Sequence, residues 1–299
     1  MIDCRRRRLH QDRRRRHFGA GPILETIVQD AVRTLAGLLV GLAVFRGIEL
    51  AFPQPGVPKP ERIWTGLRIW LVYVAAQVAL TAVVLALAGA SGVSPAIDPQ
   101  AMLGLPTWAA AIAVGVAIVL AKDFFYYWEH RVQHRWLWRW HASHHSIRNL
   151  SAINSWHHWS EILMFAAMVA LPMSLLTPAF GPRPFLIGLI LSWQPIYLHS
   201  ATRLKLGPVM RRLVVDNRYH RIHHSLEPKH FDRNFGAATP LWDWLFGTAY
   251  FPEADEWPEV GLAGVAEPAS LADWSALPWR IAQSDAPIDG KVAVSSSSD

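Results

Sequence analysis

The chain alternates long apolar segments with polar segments that are rich in histidine and arginine. Ile69 to Ala90 is apolar except for Gln77 and Thr81, and it is long enough to cross a bilayer as a helix. After a turn that contains Gly, Pro and Ser, Leu105 to Ala121 is apolar again. These two segments predict a transmembrane helical hairpin, whose second helix continues through Asp123 into a polar region.

A second hairpin is predicted further along the chain. Ile162 to Phe180 is apolar, Gly181 to Pro184 forms a turn, and Phe185 to Leu198 leads back to His199. The fold class indicated is an all-α integral membrane protein with two hairpins, about four spans, that carry a helical, histidine-rich domain on one side of the membrane.

The first apolar segment is shorter. Leu35 to Phe45 lies between Arg33 on one side and Arg46 and Glu49 on the other, so its uncharged part falls short of the roughly 20 residues that a span requires. We expect an interfacial or re-entrant helix, with a further spanning helix as the alternative. The proline-rich stretch 53–60 ends it.

Composition agrees with a membrane protein, because 52% of the 299 residues are hydrophobic and 17% are charged. We expect a disordered basic tail (1–20), a membrane-embedded domain (21–251) and a C-terminal tail (252–299) that packs partly on the polar domain. The tail supplies RRRR at 5–8 and again at 13–16, but no recognition helix or basic groove follows, so we expect no nucleic-acid partner.

Arginines cluster beside the histidines, whereas the distal turns contain only Arg183. By the positive-inside rule, the histidine-rich domain faces the cytoplasm, which in a bacterium places the protein in the inner membrane. The only cysteine is Cys4, which excludes an intrachain disulfide and a cysteine-ligated iron–sulfur cluster.

Twelve of the fourteen histidines lie between Asp123 and Phe235, and eight of them form three groups. The groups are His130 and His134; His141, His144 and His145; and His220, His223 and His224. Helical residues three or four positions apart share a face, and neutral imidazole is a common metal ligand. Eight imidazoles exceed the needs of one ion, so the spacing indicates two metals. We expect His10, His17 and His230 to be replaceable.

The motifs also resemble a known family. DFFYYWEHRVQH (123–134), HASHHS (141–146), HRIHH (220–224), NFG (234–236) and LWDWLFGT (241–248) are similar to the fatty acid hydroxylase and sterol desaturase superfamily of integral-membrane, non-haem di-iron oxygenases. The resemblance covers roughly residues 120 to 250 and keeps the order and spacing of three histidine boxes.

This resemblance implies an enzyme that uses O2 to hydroxylate or desaturate a lipid, such as a fatty acyl chain or a sterol. Its cofactor would be two iron ions, which zinc can replace during purification. Electrons would come from a separate reductase, ferredoxin or cytochrome, with a reduced pterin as the alternative, because the chain has no glycine fingerprint for a flavin or nicotinamide.

The resemblance also adds metal ligands. His158 stands three residues before Glu161, as the family's histidine does before a glutamate, with His157 as its competitor, and His199 follows the second hairpin. The full set of predicted ligands is His130, His134, His141, His144, His145, His158, His199, His220, His223 and His224. Asp123, Glu161 and Asp243 are predicted to accept hydrogen bonds from the imidazole N–H groups, as are Glu129 and Asp216.

Three other functions compete with the oxygenase. A membrane zinc hydrolase would use an H-E-x-x-H glutamate as its base, but position 131 is arginine. A metal transporter would place ionisable residues within the spans, which are apolar here. An inactive, lipid-binding relative would not need complete histidine boxes.

Overall fold

The structure is a computed structural model that describes residues 20–57, 62–90, 104, 106–176 and 185–282. Within these ranges the regular secondary structure is helical, and β-pairing is limited to two isolated bridges. Most of the predicted basic tail and the last part of the predicted C-terminal tail lie outside the described residues.

Three long helices lead the chain: α1 (Ala20–Ala51), α2 (Ile63–Ala90) and α3 (Thr107–Trp136). Their segments Ile27–Ala51, Ile63–Ala88 and Thr107–Trp136 are long and apolar enough to cross a membrane. As predicted, α3 continues without a break from the apolar segment into the first histidine box.

α1 is one continuous helix whose segment Ile27–Ala51 is long and apolar enough to span, which favours the alternative of a further spanning helix over a short re-entrant segment. Glu49 is 3% exposed and accepts hydrogen bonds from Arg46 Nη1 at 2.8 Å, Ser151 Oγ at 2.8 Å and the backbone N–H groups of Ala152 and Ala201 at 2.7 and 2.8 Å. The two charges that interrupt the apolar pattern therefore compensate each other inside the protein. The helix continues past them and ends shortly before Pro53.

Leu137 separates α3 from the short helix α4 (Trp138–His145). The predicted second hairpin corresponds to α5 (Glu161–Leu176), which contains a π-helical turn at Ala166–Ala170, and α6 (Phe185–Leu198). The described parts of both helices are shorter than the roughly 20 residues of a span, so the three long apolar helices are the candidate spans among the described residues, and the count of about four stays a prediction. The predicted turn lies outside the described residues.

Short helices and loops form the polar domain beside the ends of α1, α2, α3 and α6. The helices are α7 (Asn217–His223), α8 (Leu241–Leu245) and α9 (Leu271–Ile281), with 3-10 turns at Met210–Arg212 and Pro228–His230. The C-terminal region to residue 282 is part of this fold, because Leu277 and Ile281 of α9 pack against Trp138 and Ala142 of α4.

Candidate metal centre

Nine buried or nearly buried histidines lie in two adjacent groups. Site A consists of His130, His134, His141, His145 and His223, and site B consists of His144, His199, His220 and His224. In each group, one ring nitrogen per residue lies within 4.8 Å of all the others. Every predicted ligand except His158 belongs to one of these groups.

Helical spacing explains how three helices supply the two sites. On α3, His130 and His134 share one face and both enter site A. On α4, His141 and His145 enter site A, whereas His144 points to site B. At α7 the pattern is reversed, because His220 and His224 enter site B and His223 enters site A; α4 and α7 therefore lie between the sites and contribute to both.

Backbone carbonyls orient the rings. His130 Nδ1 donates to Phe235 O at 2.9 Å, and His223 Nδ1 donates to Arg233 O at 2.8 Å. In site B, His144 Nδ1 donates to Trp156 O at 2.7 Å and His199 Nδ1 to Pro195 O at 2.7 Å. Since a carbonyl oxygen can only accept, each of these Nδ1 atoms carries the hydrogen, and each Nε2 presents a lone pair.

The lone pairs converge. In site B the Nε2 atoms of His144 and His199 are 3.2 Å apart, and in site A those of His130 and His141 are 3.0 Å apart. Two Nε2 atoms that both lack a hydrogen cannot bond to each other. Such facing acceptors are stabilised by a cation that both can ligate.

Other ring nitrogens lack hydrogen-bond partners although they are buried. They are Nε2 of His134, His145 and His223, and Nδ1 of His220 and His224. Leaving so many buried polar atoms unsatisfied is costly, and metal ligation is the usual explanation for such a cluster. The donor set of nine imidazoles in groups of five and four fits two transition-metal ions rather than one.

Burial keeps these imidazoles in the neutral form that binds metal. It lowers the pKa of His199 to about 3 and that of His141 to about 4, the second shift being opposed by Glu161. The pKa values of His144, His223 and His224 are also well below that of an ordinary histidine. Burial is the largest cause, and repulsion from the neighbouring histidines adds to it.

Glu161 is the carboxylate of site A. It is 2% exposed, and its Oε2 accepts hydrogen bonds from Nδ1 of His141 at 2.8 Å and Nδ1 of His157 at 3.1 Å. Its Oε1 accepts from the backbone N–H of His158 at 3.1 Å. Glu161 thus holds His141 with its Nε2 towards the other site A rings, in the role the sequence assigned to it.

The structure places His157, and not His158, beside the histidine groups. His158 lies outside both sites: its Nδ1 contacts Ser160 Oγ at 2.8 Å and its Nε2 donates to Ser275 O at 3.1 Å. His157 instead stacks on His144 with ring centroids 3.8 Å apart and shares Glu161 with His141. Spacing from a glutamate could not separate two consecutive histidines, because the backbone turn that follows decides which one points inward.

Asp123 and Asp243 do not contact an imidazole, so their predicted role needs correction. Asp123 accepts from the N–H groups of residues 237–239, and Asp243 accepts from those of Phe235 and Gly236. Together they hold the loop whose Phe235 carbonyl accepts from His130. They therefore act on the ring through the backbone.

Two further predicted acceptors also have other partners. Asp216 caps α7 by accepting from Tyr219 N at 2.9 Å. Glu129 accepts from Gln133 Nε2 at 3.3 Å. His230, expected to be replaceable, lies outside both sites and contacts Ser225 Oγ and Glu256.

An elongated cavity of about 690 Å³ leads from the sites into the long helices. Its polar end includes Glu129, Glu161 and the site B residues His199 and His220. Along α2 its wall extends from Trp70 to Ala86, about 24 Å at 1.5 Å per residue. Apolar side chains of α1, α2 and α6 form most of the wall, so the cavity suits a lipid chain.

The orienting carbonyls of Trp156, Pro195, Arg233 and Phe235 were not identifiable from sequence, because every residue has a carbonyl. The structural role of Glu49 was not predicted either. A glutamate within an apolar segment can indicate a buried hydrogen-bonding site, but here it was interpreted as the end of that segment.

Comparison with known proteins also singles out the histidine-rich region. The Fatty acid hydroxylase family matches residues 115–248, which include all nine histidines of sites A and B. No solved structure matches.

Curated relatives include Ornithine lipid hydroxylase OlsE of Rhizobium tropici, 30% identical over 62% of this chain and 56% of that protein. Alkylglycerol monooxygenase of Xenopus tropicalis is 28% identical over 46% of this chain and 30% of its own length. Fatty acid hydroxylase vlmA of a Lecanicillium species is 29% identical over 52% and 47%, respectively. The match thus spans about half or less of each relative. Residues 115–248 of this chain are thus similar to the fatty acid hydroxylase family.

Proposed function

We propose that this protein is a membrane-embedded, di-iron oxygenase that uses O2 and external electrons to hydroxylate a lipid. The observation that carries the proposal is the cavity of about 690 Å³, whose largely apolar walls lead to the site B histidines His199 and His220, beside site A. A lipid in this cavity would present a carbon atom to the metal sites while its chain remained between the helices.

Imidazole nitrogen binds iron as well as zinc, copper and nickel, and the oxidation reactions named for the relatives favour iron among them. Site A and site B would each hold one ion, and the bound iron pair would supply the O2 activation that oxidises an unactivated C–H bond. Glu161 and the backbone carbonyls would keep the ring nitrogens aimed at the ions. The apolar wall would position the chain and exclude water.

The relatives agree on the reaction type. Their names describe hydroxylation of ornithine lipid, oxidation of alkylglycerol and hydroxylation of fatty acid. The common feature is oxidation of a lipid by a hydroxylase or monooxygenase. We infer the same class for this chain, with desaturation as the alternative outcome once the first hydrogen has been removed.

The orientation of the protein in the membrane is inferred from the charges that flank the histidines. We infer that the metal sites face the cytoplasm, because the arginines flanking the histidines lie on that side by the positive-inside rule. Electrons would come from a separate reductase, ferredoxin or cytochrome, or from a reduced pterin.

A membrane zinc hydrolase is the second candidate. It is favoured by Glu129, a buried carboxyl group with one oxygen unpartnered beside the histidines, which could serve as a general base. Against it, a hydrolytic zinc site commonly uses three protein ligands, whereas nine imidazoles are assembled here.

Metal analysis of detergent-purified protein, followed by anaerobic reduction and exposure to O2, distinguishes the candidates. The oxygenase predicts about two iron ions per chain, reoxidation by O2, and O2 consumption that depends on added lipid. One zinc ion per chain with no O2 reaction, even after reconstitution with ferrous iron, would support the hydrolase instead.

A further inference from the structure

The side of α3 that faces the cavity carries a buried carboxyl group, that of Glu129. Tyr126, Glu129 and Gln133, spaced three and four residues apart, line the cavity, whereas His130 and His134 on the neighbouring face enter site A. Glu129 lines the same cavity as Glu161 and the site B histidines His199 and His220, so its side chain lies at the end of the cavity that reaches the histidine groups.

Glu129 has an unused hydrogen-bonding position. Its side chain is 2% exposed, and Oε1 is 3.3 Å from Gln133 Nε2, but Oε2 is buried without a partner. Among the described residues that line the cavity, only the site B histidine His220 also has a buried polar side-chain atom with no partner. The metal accounts for His220, but it does not account for Glu129.

The other charged groups at this end of the cavity have partners. Glu161 uses both oxygens for His141, His157 and the backbone of His158. Lys122 donates to Leu191 O at 3.4 Å. An unpaired carboxyl oxygen in an apolar cavity destabilises the protein unless a bound molecule completes its hydrogen bonds.

We propose that Glu129 binds a hydroxyl group of the lipid substrate, close to the carbon that is oxidised. A hydroxyl can donate to a carboxylate and can accept from a carboxylic acid, so it complements Glu129 in either protonation state. Gln133, which already contacts the other oxygen, holds the carboxyl group in position. The enzyme would therefore select a hydroxylated lipid over the plain chain of the same length.

This inference rests on the proposed function, because it takes the bound lipid to be the substrate. Its test measures only how tightly the lipid binds. Metal-loaded, detergent-purified protein is titrated with methyl palmitate and with a series of methyl hydroxypalmitates. The hydroxyl group lies on a different carbon in each member of the series. Displacement of a fluorescent fatty acid reports binding. At least one hydroxylated ester should bind the wild type about tenfold more tightly than the plain ester, as expected for one additional buried hydrogen bond.

Glu129→Leu should bind all the esters equally and keep the wild-type metal content. Glu129→Gln, which retains hydrogen-bonding atoms, should keep part of the preference and provides the test if the leucine variant does not fold. Thr81→Val, a polar-to-apolar change elsewhere on the cavity wall, should leave the preference unchanged.

Equal binding of all esters by the wild type would overturn the inference, as would a preference that persists in Glu129→Leu. Tighter binding of N-methylpalmitamide than of any hydroxylated ester would also overturn it, since an amide would then be the recognised group. Lipid-dependent O2 consumption is measured in parallel: its absence counts against the oxygenase, whereas the binding preference alone decides the role of Glu129.

Discussion

At the scale of single residues, backbone carbonyls orient several of the histidines in sites A and B. His144 is held by the carbonyl of Trp156, and His199 by that of Pro195 one helical turn before it. The hydrogen on Nδ1 leaves Nε2 free for a metal. Each ring is therefore oriented before any ion binds, which reduces the entropy lost on ligation.

Removing one ring from either site should lower metal content. His144→Ala in site B and His223→Ala in site A should each lose about one ion per chain and essentially all lipid oxidation, while the protein still inserts into the membrane. His158→Ala is the matched control, because His158 lies outside both sites. Full metal content and activity in His144→Ala or His223→Ala would contradict the ligand assignment.

Glu161→Gln tests the role of the carboxylate. Glutamine has one acceptor oxygen where Glu161 uses two, so the orientation of His141 and His157 should loosen. Loss of such a partner typically lowers metal affinity about 10- to 100-fold. Competition with a chelator measures this affinity, and the exposed Glu253→Gln should leave it unchanged. An unaltered affinity in Glu161→Gln would show that Glu161 does not orient the ligands.

The sequence predicted these residues unequally, for physical reasons. Helical spacing was sufficient for the three boxes, because residues three or four apart share a face whatever the surrounding fold. It could not choose between His157 and His158, which differ only in the backbone direction after α4. Nor could helical spacing predict the buried hydrogen bonds of Glu49, because its partners Ser151 and Ala201 are more than 100 residues away along the chain.

At the scale of elements, α4 depends on the C-terminal helix α9. Leu277 is fully buried against the side of α4 that carries Trp138 and Ala142, and Trp274 Nε1 donates to His157 O at 3.1 Å. The helix that supplies three of the nine histidines is therefore supported by a segment beyond the matched family region.

Loosening α9 should affect both stability and metal binding. Leu277→Ala removes fully buried methyl groups, so the free energy of unfolding should fall by about 2 to 5 kcal/mol, and metal affinity should fall with it. Leu271→Ala makes the same chemical change at a residue of α9 that is 41% exposed, and it should change stability by less than about 0.5 kcal/mol. Thermal unfolding of the two detergent-solubilised variants compares them. Equal melting temperatures would show that α9 does not support α4.

At the scale of the whole molecule, the cavity between the long apolar helices joins the polar domain that carries sites A and B at the ends of those helices. Glu49 at the end of α1 contacts the loops at Ser151 and Ala201, which flank the segments that carry His157 and His199. The apolar helices and the metal sites therefore form one folded unit rather than two independent parts. A change in protonation at the sites should consequently appear in the stability of the whole chain.

The metal-free protein should lose stability as the pH falls. Burial lowers the pKa of His141 to about 4 and of His199 to about 3, whereas an unfolded histidine titrates near about 6.5. Between these values the unfolded chain binds protons that the folded chain does not, so acid favours unfolding. Above about pH 6.5 both states are neutral at these residues, and their contribution to stability is complete.

Each such histidine contributes a slope of roughly 1 kcal/mol per pH unit within this window, so several together should produce a steep dependence. The melting temperature of chelator-treated protein, measured from about pH 8 to about pH 5, should be level at first and then fall below about 6.5. Replacing His141 and His199 together with Asn should flatten the decline, because two of the groups that the unfolded chain protonates are gone. A melting temperature that is constant over this range, or that rises as the pH falls, would show that the buried imidazoles are not held neutral in the folded protein.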